Sequence, residues 1–250
     1  MKIKNKRVRL DELVMSRGFC DSLKKARAMI IAGEVFVDGQ RADKSGTTVS
    51  SEVDVAIASR SQKFASRGGF KLEGALDDFH IEVAGKVCLD VGASTGGFTD
   101  CLLQRGAARV YAVDVTSEQM AWRLQQDCRV IRIERNARRL VREDVPEEMD
   151  VVTVDVSFIS AGKVLAPAVA VARPDADFLI LVKPQFELRR EEIGPGGIVN
   201  GPDLHEKAIS IVKEAAAGSG LCCRGVKPSH LPGAEGNQEF FLHARRKPLE

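Results

Sequence analysis

Apolar residues recur along this chain with two periods, and the change from one to the other marks its organisation. Over residues 9–32 the period is helical. Glu12-Leu13-Val14-Met15 follows Asp11, a residue able to cap a helix, and the run stops near Gly18. A second run over 23–31 puts Leu23, Ala26, Ile30 and Ile31 on one face and leaves Lys24, Lys25 and Arg27 off it. Asp21 or Ser22 can cap it, and Gly33 can end it. Residues 35–37 and 53–57 read as short strands, with Asp38-Gly39 as a hairpin turn signal. The polar stretch 59–63 has linker character. Beyond it, short apolar runs alternate with helical ones. Strands are predicted at 87–91, 110–114, 130–133, 151–154, 178–182 and 240–243, and a helix over about 97–105. Such alternation predicts an α/β fold, a parallel sheet with helices on both faces. The chain thus divides into a small α+β domain (1–59), a linker (60–66) and a larger domain (67–250).

Composition narrows the classes. At 44% hydrophobic and 29% charged, the chain can bury a core and is not disordered by composition. It has no run of about 18 apolar residues, so no transmembrane helix and no membrane partner are expected. The basic N-terminus meets Asp11-Glu12 where a signal peptide needs an apolar stretch, which points to the cytoplasm. The six cysteines form no Cys-x-x-Cys pair and read as buried thiols in a reducing compartment; with four scattered histidines, no metal site is expected. The net charge of +2 hides a split. Residues 1–71 carry 15 basic and 8 acidic side chains, a net of +7, and the rest carry 22 and 27, a net of −5. A basic end joined to an acidic body suggests a polyanion-binding module on something else.

The basic module is similar to an RNA-binding module first seen in a small-subunit ribosomal protein. The resemblance spans about 7–57 and rests on 9–14, Arg17-Gly18, 26–30 and 33–39. Lys6, Arg7, Arg9, Arg17, Lys24, Lys25 and Arg27, with Arg67 further on, are the candidate RNA contacts, through phosphates rather than bases. A solvated basic face that binds nothing, or a helix–turn–helix DNA binder, are the competing readings; the enzymatic look of the attached domain disfavours DNA.

The second domain opens on Asp90-Val91-Gly92-Ala93-Ser94-Thr95-Gly96-Gly97, between a predicted strand and a helix. Glycines there let a ligand approach the backbone. Asp114, at the end of the next strand, is placed to accept ribose hydroxyls. A P-loop lacks its Gly-Lys-Ser/Thr and a dinucleotide loop its Gly-x-Gly-x-x-Gly, which leaves S-adenosylmethionine (SAM) or a turn with no ligand. Asp155 and Lys183 each end an apolar strand, Lys71 follows Ser66-Arg67-Gly68-Gly69-Phe70, and Glu239 follows Gly236-Asn237-Gln238. Ligands of open parallel sheets bind at such carboxyl ends.

Taken with 155–160, 182–187 and 194–197, these motifs resemble the TlyA family, named both as haemolysins and as ribosomal RNA 2′-O-methyltransferases. The catalytic part resembles the FtsJ-type, Rossmann-like methyltransferase fold. The resemblance covers nearly the whole chain and implies SAM as cofactor and ribosomal RNA or ribosomal subunits as partner, with cytidine as target. It implies a Lys-Asp-Lys-Glu tetrad of Lys71, Asp155, Lys183 and Glu239, in which Lys183 takes the proton of a ribose 2′-hydroxyl. It implies that Asp90, Gly92, Ser94, Gly96 and Gly97 serve the methionine part of SAM, Asp114 its ribose and Asn136 its adenine. One departure stands out: Val115-Thr116-Ser117-Glu118-Gln119 replaces the family's Val-Gly-Tyr-Gly-Gln. Two other readings remain: a pore-forming haemolysin, and a non-catalytic RNA-binding protein that keeps the fold.

Overall fold

In a computed structural model, described over residues 7–31, 35–42, 44–57 and 63–246, the chain forms two compact units, residues 1–62 and 63–250. The first unit holds β1 (Arg7–Arg9), α1 (Leu10–Ser16), α2 (Leu23–Ile31), β2 (Val35–Val37), β3 (Gln40–Ala42), β4 (Thr48–Ser50) and β5 (Val55–Ile57). Its core is Leu10, Leu13, Val14, Ala26, Ile30, Val35 and Val55, the apolar stripe of both helices closed by the strands. Asp38 and Gly39 take φ of 48° and 79°, the left-handed pair that a two-residue hairpin needs, but they join β2 to β3, a strand too polar to show in the sequence. Gly33, the expected helix stop, lies outside the described residues.

Asp11 is not a helix cap. The strand β1 pairs with β4, and Leu10 N continues by donating to Thr47 O at 2.8 Å, so the helix begins at Leu10, two residues earlier than its pattern suggests. Asp11 is buried in the first turn instead, accepting from Arg9 at 2.8 Å and from Arg27 at 2.8 Å. Arg9, and then Arg27, hold its carboxyl well below the ordinary carboxylate range. A carboxylate lowered on folding stabilises the fold above its unfolded pKa and loses that contribution as pH falls through the folded value. Asp11→Asn should therefore lower the unfolding midpoint of this unit at neutral pH, by about 1–3 kcal/mol of stability. Thermal scans at stepped pH check it: the deficit should shrink in acid, and a deficit unchanged between pH 7 and pH 2 would assign it to packing alone.

The second unit runs α3 (Gly68–Asp78), β6 (Val87–Val91), α4 (Gly97–Gln104), β7 (Arg109–Asp114), α5 (Trp122–Gln125), β8 (Val130–Glu134), β9 (Met149–Val154), α6 (Gly162–Val171), β10 (Ala172–Val182), α7 (Pro184–Glu187), α8 (Pro202–Gly218), β11 (Leu221–Pro228) and β12 (Phe240–Arg246). Among the described residues its sheet has seven strands in the order β11-β12-β10-β9-β6-β7-β8. Six point the same way and β12 alone runs against them, antiparallel to both its neighbours β10 and β11, so the sheet is mixed at one end rather than wholly parallel. Alternating side chains feed two cores. Leu89 and Val91 face α6 and α8, while Cys88, Leu179 and Leu181 face α3 and α4. From β6 the chain winds outward one way through β7 and β8, and the other way through β9 and β10. The crevice at the carboxyl ends of β6 and β9 is therefore the topological switch point, where such sheets bind ligands.

Residues 63–66 pack onto this unit. Phe64 is buried, and Ala65 N donates to Asp100 on α4 at 2.6 Å. The expectation of buried thiols holds for Cys88 and Cys101, both pushed up to about 12 by burial; Cys128, Cys222 and Cys223 are exposed and Cys20 is half-buried.

Candidate active site

The turn from β6 into α4 requires glycine. Gly92 has a φ of 88°, and a Cβ there would lie 2.2 Å from the carbonyl oxygen of Asp155. Gly96 has a φ of 91°, and its Cβ would lie 2.3 Å from Leu124 Cδ1. Side chains are thus excluded where the loop passes β9 and the segment after β7, and the bare backbone faces the crevice. Gly92 N donates to Val113 O at 2.9 Å, which ties the loop to β7.

Asp90 lies below this loop. It is fully buried, accepts from Thr99 Oγ1 at 2.7 Å and Thr153 Oγ1 at 3.0 Å, and lines neither of the cavities above it. Burial raises its pKa to about 6 against the two hydroxyls that lower it. An acid raised on folding binds its proton more tightly in the native state, so stability is full below the unfolded value and falls as pH rises to about 6. Asp90→Asn should unfold at a higher temperature than the parent at pH 8 and gain nothing at pH 4, which differential scanning calorimetry would read.

Two cavities meet at the loop. One, of about 360 Å³, is lined by Ser66, Arg67, Lys71, Gly97, Asp155 and Pro232, among others. The other, of about 450 Å³, is lined by Asp114, Gln119, Asn136, Ile159 and Phe158, among others. Gly92, Ser94 and Asp155 belong to both, so they form one site with two arms. Gly96 lines neither arm; its part is to turn the chain. Asp114 accepts from Ser94 N at 2.8 Å and Val115 N at 2.7 Å, and Ser94 itself is left-handed at φ 48°. Asn136 caps the short turn Ala137–Arg139, accepting from Arg138 N at 3.1 Å, while it lines the second arm. In the departing segment, Ser117 N donates to Glu134 at the end of β8 at 3.1 Å, and Val115 and Gln119 reach the second arm.

The four tetrad candidates stand as two ion pairs. Lys71 on α3 meets Glu239, at the threshold of β12, with Nζ 2.5 Å from Oε2, and both are buried. Lys183, just past β10, lies 2.5 Å from Asp155 Oδ1, just past β9, a close ion pair without hydrogen-bond alignment. Its Nζ donates to Ser157 Oγ at 2.9 Å and lies 5.9 Å from the Phe186 ring centre. One member of each pair, Lys71 and Asp155, lines the first arm. Parallel pairing of β9 with β10 delivers Asp155 and Lys183 side by side.

Ser157 and Phe158 were not singled out from sequence. Phe158 is 89% exposed at φ 67°, with its ring 5.4 Å from that of Phe186. A left-handed phenylalanine leaves no mark in a hydrophobic pattern.

The candidate RNA contacts differ in freedom. Arg9 and Arg27 are committed to Asp11; Arg7 donates to Thr48 O at 2.8 Å, Arg17 to Ser51 O at 2.9 Å, and Lys25 pairs with Asp21 at 3.5 Å. Lys24 and Arg67 are exposed, and their side chains have no partner among the described residues. Lys6 lies outside the described residues.

The strand order, glycine turn and two-armed crevice define a SAM-dependent methyltransferase. The FtsJ-like methyltransferase family matches residues 64–246, and the S4 domain, the RNA-binding module expected from sequence, matches residues 8–55. The chain is 46% identical to the 16S/23S rRNA (cytidine-2′-O)-methyltransferase TlyA of Mycobacterium tuberculosis (strain ATCC 25618 / H37Rv), over 96% of this chain and 90% of that protein. It is 40% identical to Hemolysin A of Brachyspira hyodysenteriae, over 94% of this chain and 99% of the other. Among solved structures, a putative hemolysin from Streptococcus thermophilus superposes with a TM-score of 0.73 at 36% identity, covering 97% and 90% of the two chains. The chain belongs to the TlyA family of FtsJ-like methyltransferases. Its cofactor is SAM, and no helix among the described residues is long and apolar enough to cross a membrane.

Proposed function

We propose that this protein methylates the 2′-hydroxyl of a cytidine in ribosomal RNA, in the isolated RNA or in a ribosomal subunit. The observation that carries this reading is the pair of lysine–carboxylate contacts around one arm of a crevice whose two arms meet at a bare glycine turn. Relatives whose names specify rRNA cytidine-2′-O-methylation support the substrate.

The crevice fits the cofactor. Gly92 lines both arms, and the left-handed turn there leaves no room for a side chain, whose Cβ would meet the Asp155 carbonyl oxygen at 2.2 Å. Gly92, Ser94 and Gly97 would hold the methionine part, with Gly96 shaping the turn and Asp90 bracing it from below. Asp114 would take the ribose and Asn136 the adenine edge. When bound there, SAM supplies a sulfonium methyl that is electrophilic without further activation.

The protein's own task is the nucleophile. A ribose hydroxyl is a poor one at neutral pH and needs its proton drawn off during attack. Lys183 passes its ammonium proton to Asp155 or to water and then, as the neutral amine, takes the proton of the hydroxyl; Asp155 and Ser157 fix its Nζ beside the first arm. Lys71, clamped by Glu239, lines the same arm and holds the hydroxyl oxygen in line with the methyl. The S4 domain and Arg67 gather the RNA through its phosphates.

Incubation of the full chain with labelled SAM and unmethylated ribosomal RNA, followed by nuclease digestion and mass spectrometry, tests this. The expected product is 2′-O-methylcytidine. Base-methylated nucleosides in its place would refute the ribose assignment.

A further inference from the structure

A second concavity adjoins the first arm and has no part in the reaction described so far. It is a groove of about 550 Å³ beside α3, lined chiefly by Arg67, Phe70, Glu73, Asp77 and His230. Arg67 lines both it and the first arm. The chain at 230–234 walls both as well, with His230 and Leu231 on the groove and Pro232 and Ala234 on the arm. The two spaces are therefore neighbours along one path.

The lining charges are unequal. Glu73 is paired with Lys63 and, at 3.4 Å, with Arg105; Asp77 holds Arg105 at 2.7 Å and 2.9 Å. His230 is held by Asp78 at 3.0 Å. Arg67 is exposed, and its guanidinium has no ion pair or hydrogen bond among the described residues; only its carbonyl is engaged, by Phe70 N at 3.2 Å. The acids are spoken for, and a cation is left over at the junction. Next to it Phe70 is 38% exposed, with its ring edge-on to Phe64 at 5.0 Å. An aromatic ring kept partly in water beside a spare guanidinium suits a nucleotide, through phosphate pairing and base stacking.

The chemistry of the ribose sets the direction. The 2′-hydroxyl sits on the carbon next to C3′, so the phosphate nearest to it is the 3′-linking one. With the hydroxyl in the first arm, Arg67, which lines both that arm and the groove, is the cation placed to meet that phosphate. We propose that the groove is the subsite for the nucleotide immediately 3′ of the methylated one, with Arg67 on the intervening phosphate and Phe70 stacked on its base. This rests on the RNA 2′-O-methylation reading above. Stacking tolerates any base, so the subsite contributes affinity and placement rather than sequence choice.

The test uses the full chain and ribosomal RNA carrying the mapped target, with an abasic residue ligated in either as its 3′ or as its 5′ neighbour. Removing the 3′ base should lower kcat/KM of the parent about 5- to 100-fold, the worth of one base–aromatic stack, while removing the 5′ base should leave it nearly unchanged. Phe70→Leu keeps apolar bulk without a π-face; it should lose the same factor on intact RNA and nothing more on the 3′-abasic RNA. Arg67→Ala should lose equally on both RNAs, because the phosphate remains. Calorimetric SAM affinity should stay within about twofold for Phe70→Leu, since the stack touches only RNA. Losses that multiply between Phe70→Leu and the 3′-abasic RNA, equal sensitivity to the 5′ base, or weakened SAM binding would each overturn the subsite. In those cases the parent still methylates intact RNA and the function stands; no turnover by the parent overturns both.

Discussion

Lys183→Ala should lose about 10²–10⁴-fold in methyl transfer, the range for removing a positioned acid–base group, while SAM and RNA still bind. The geometry behind this is specific. Lys183 Nζ is held from two sides, by Asp155 at 2.5 Å and by Ser157 Oγ at 2.9 Å, beside the arm that Lys71 lines. Deleting the amine also leaves Asp155 without its cation, so alanine alone does not separate proton transfer from charge. Lys183→Arg does: arginine keeps the charge and can still pair with Asp155, but it does not give up a proton in the working range. If Lys183 serves as base, arginine should be nearly as inactive as alanine. Single-turnover rates at saturating SAM and RNA decide this, and an active arginine variant would recast Lys183 as an electrostatic group only.

Gly92→Ala is expected to damage the site at its junction. An added Cβ would lie 2.2 Å from the Asp155 carbonyl oxygen, on a residue whose φ of 88° already disfavours any side chain. Left-handed strain alone costs of the order of 1–3 kcal/mol. The collision adds to it, because both partners are backbone held in sheet pairing: Gly92 N on Val113 O, and Asp155 N on Val91 O at 2.9 Å. Relief must shift either the glycine turn or the tail of β9, and so either the cofactor arm or Asp155 itself. SAM affinity should fall more than about tenfold, a loss above 1.4 kcal/mol, and methyl transfer further still. Calorimetry at two temperatures, with a melting curve to confirm folding, reads both. Unchanged SAM affinity in a folded Gly92→Ala protein would remove the turn from the cofactor site.

The legible parts of this structure are those where one residue type answers one physical need. The strands 87–91, 110–114 and 151–154 are continuous apolar runs because parallel strands are buried on both faces, and each ends on the carboxylate or glycine turn that lines the crevice. The helix at 23–31 was legible from Ala26 and Ile30, which are buried, and from its start signal, where Ser22 accepts from Lys25 N at 3.4 Å; Ile31, read onto the same face, is 70% exposed. What hid did so for identifiable reasons. The strand β11 is an edge, mostly exposed along Leu-Cys-Cys-Arg-Gly, with a register shift at Gly225, so its pattern has no period. Asp11 has the look of a cap until β1 fixes the chain ahead of it and two arginines claim the carboxylate. Asp90 heads the glycine loop in sequence, yet sits beneath it, because Thr99 and Thr153 take its oxygens from either side. Two lysines and two carboxylates were legible as a set; their division into Lys71–Glu239 and Lys183–Asp155 was not, since it depends on α3 and β12 meeting across the sheet.

In the proposed reaction one crevice both holds SAM and activates a ribose hydroxyl of ribosomal RNA. That reaction is tested most directly by mapping ribose methylation on ribosomal RNA from cells that lack this gene, complemented with the parent or with Lys183→Ala. 2′-O-methylcytidine should appear at one or a few positions with the parent, and at none of them with the variant. Identical maps for the empty, parent and variant strains, or full methylation by Lys183→Ala, would contradict it.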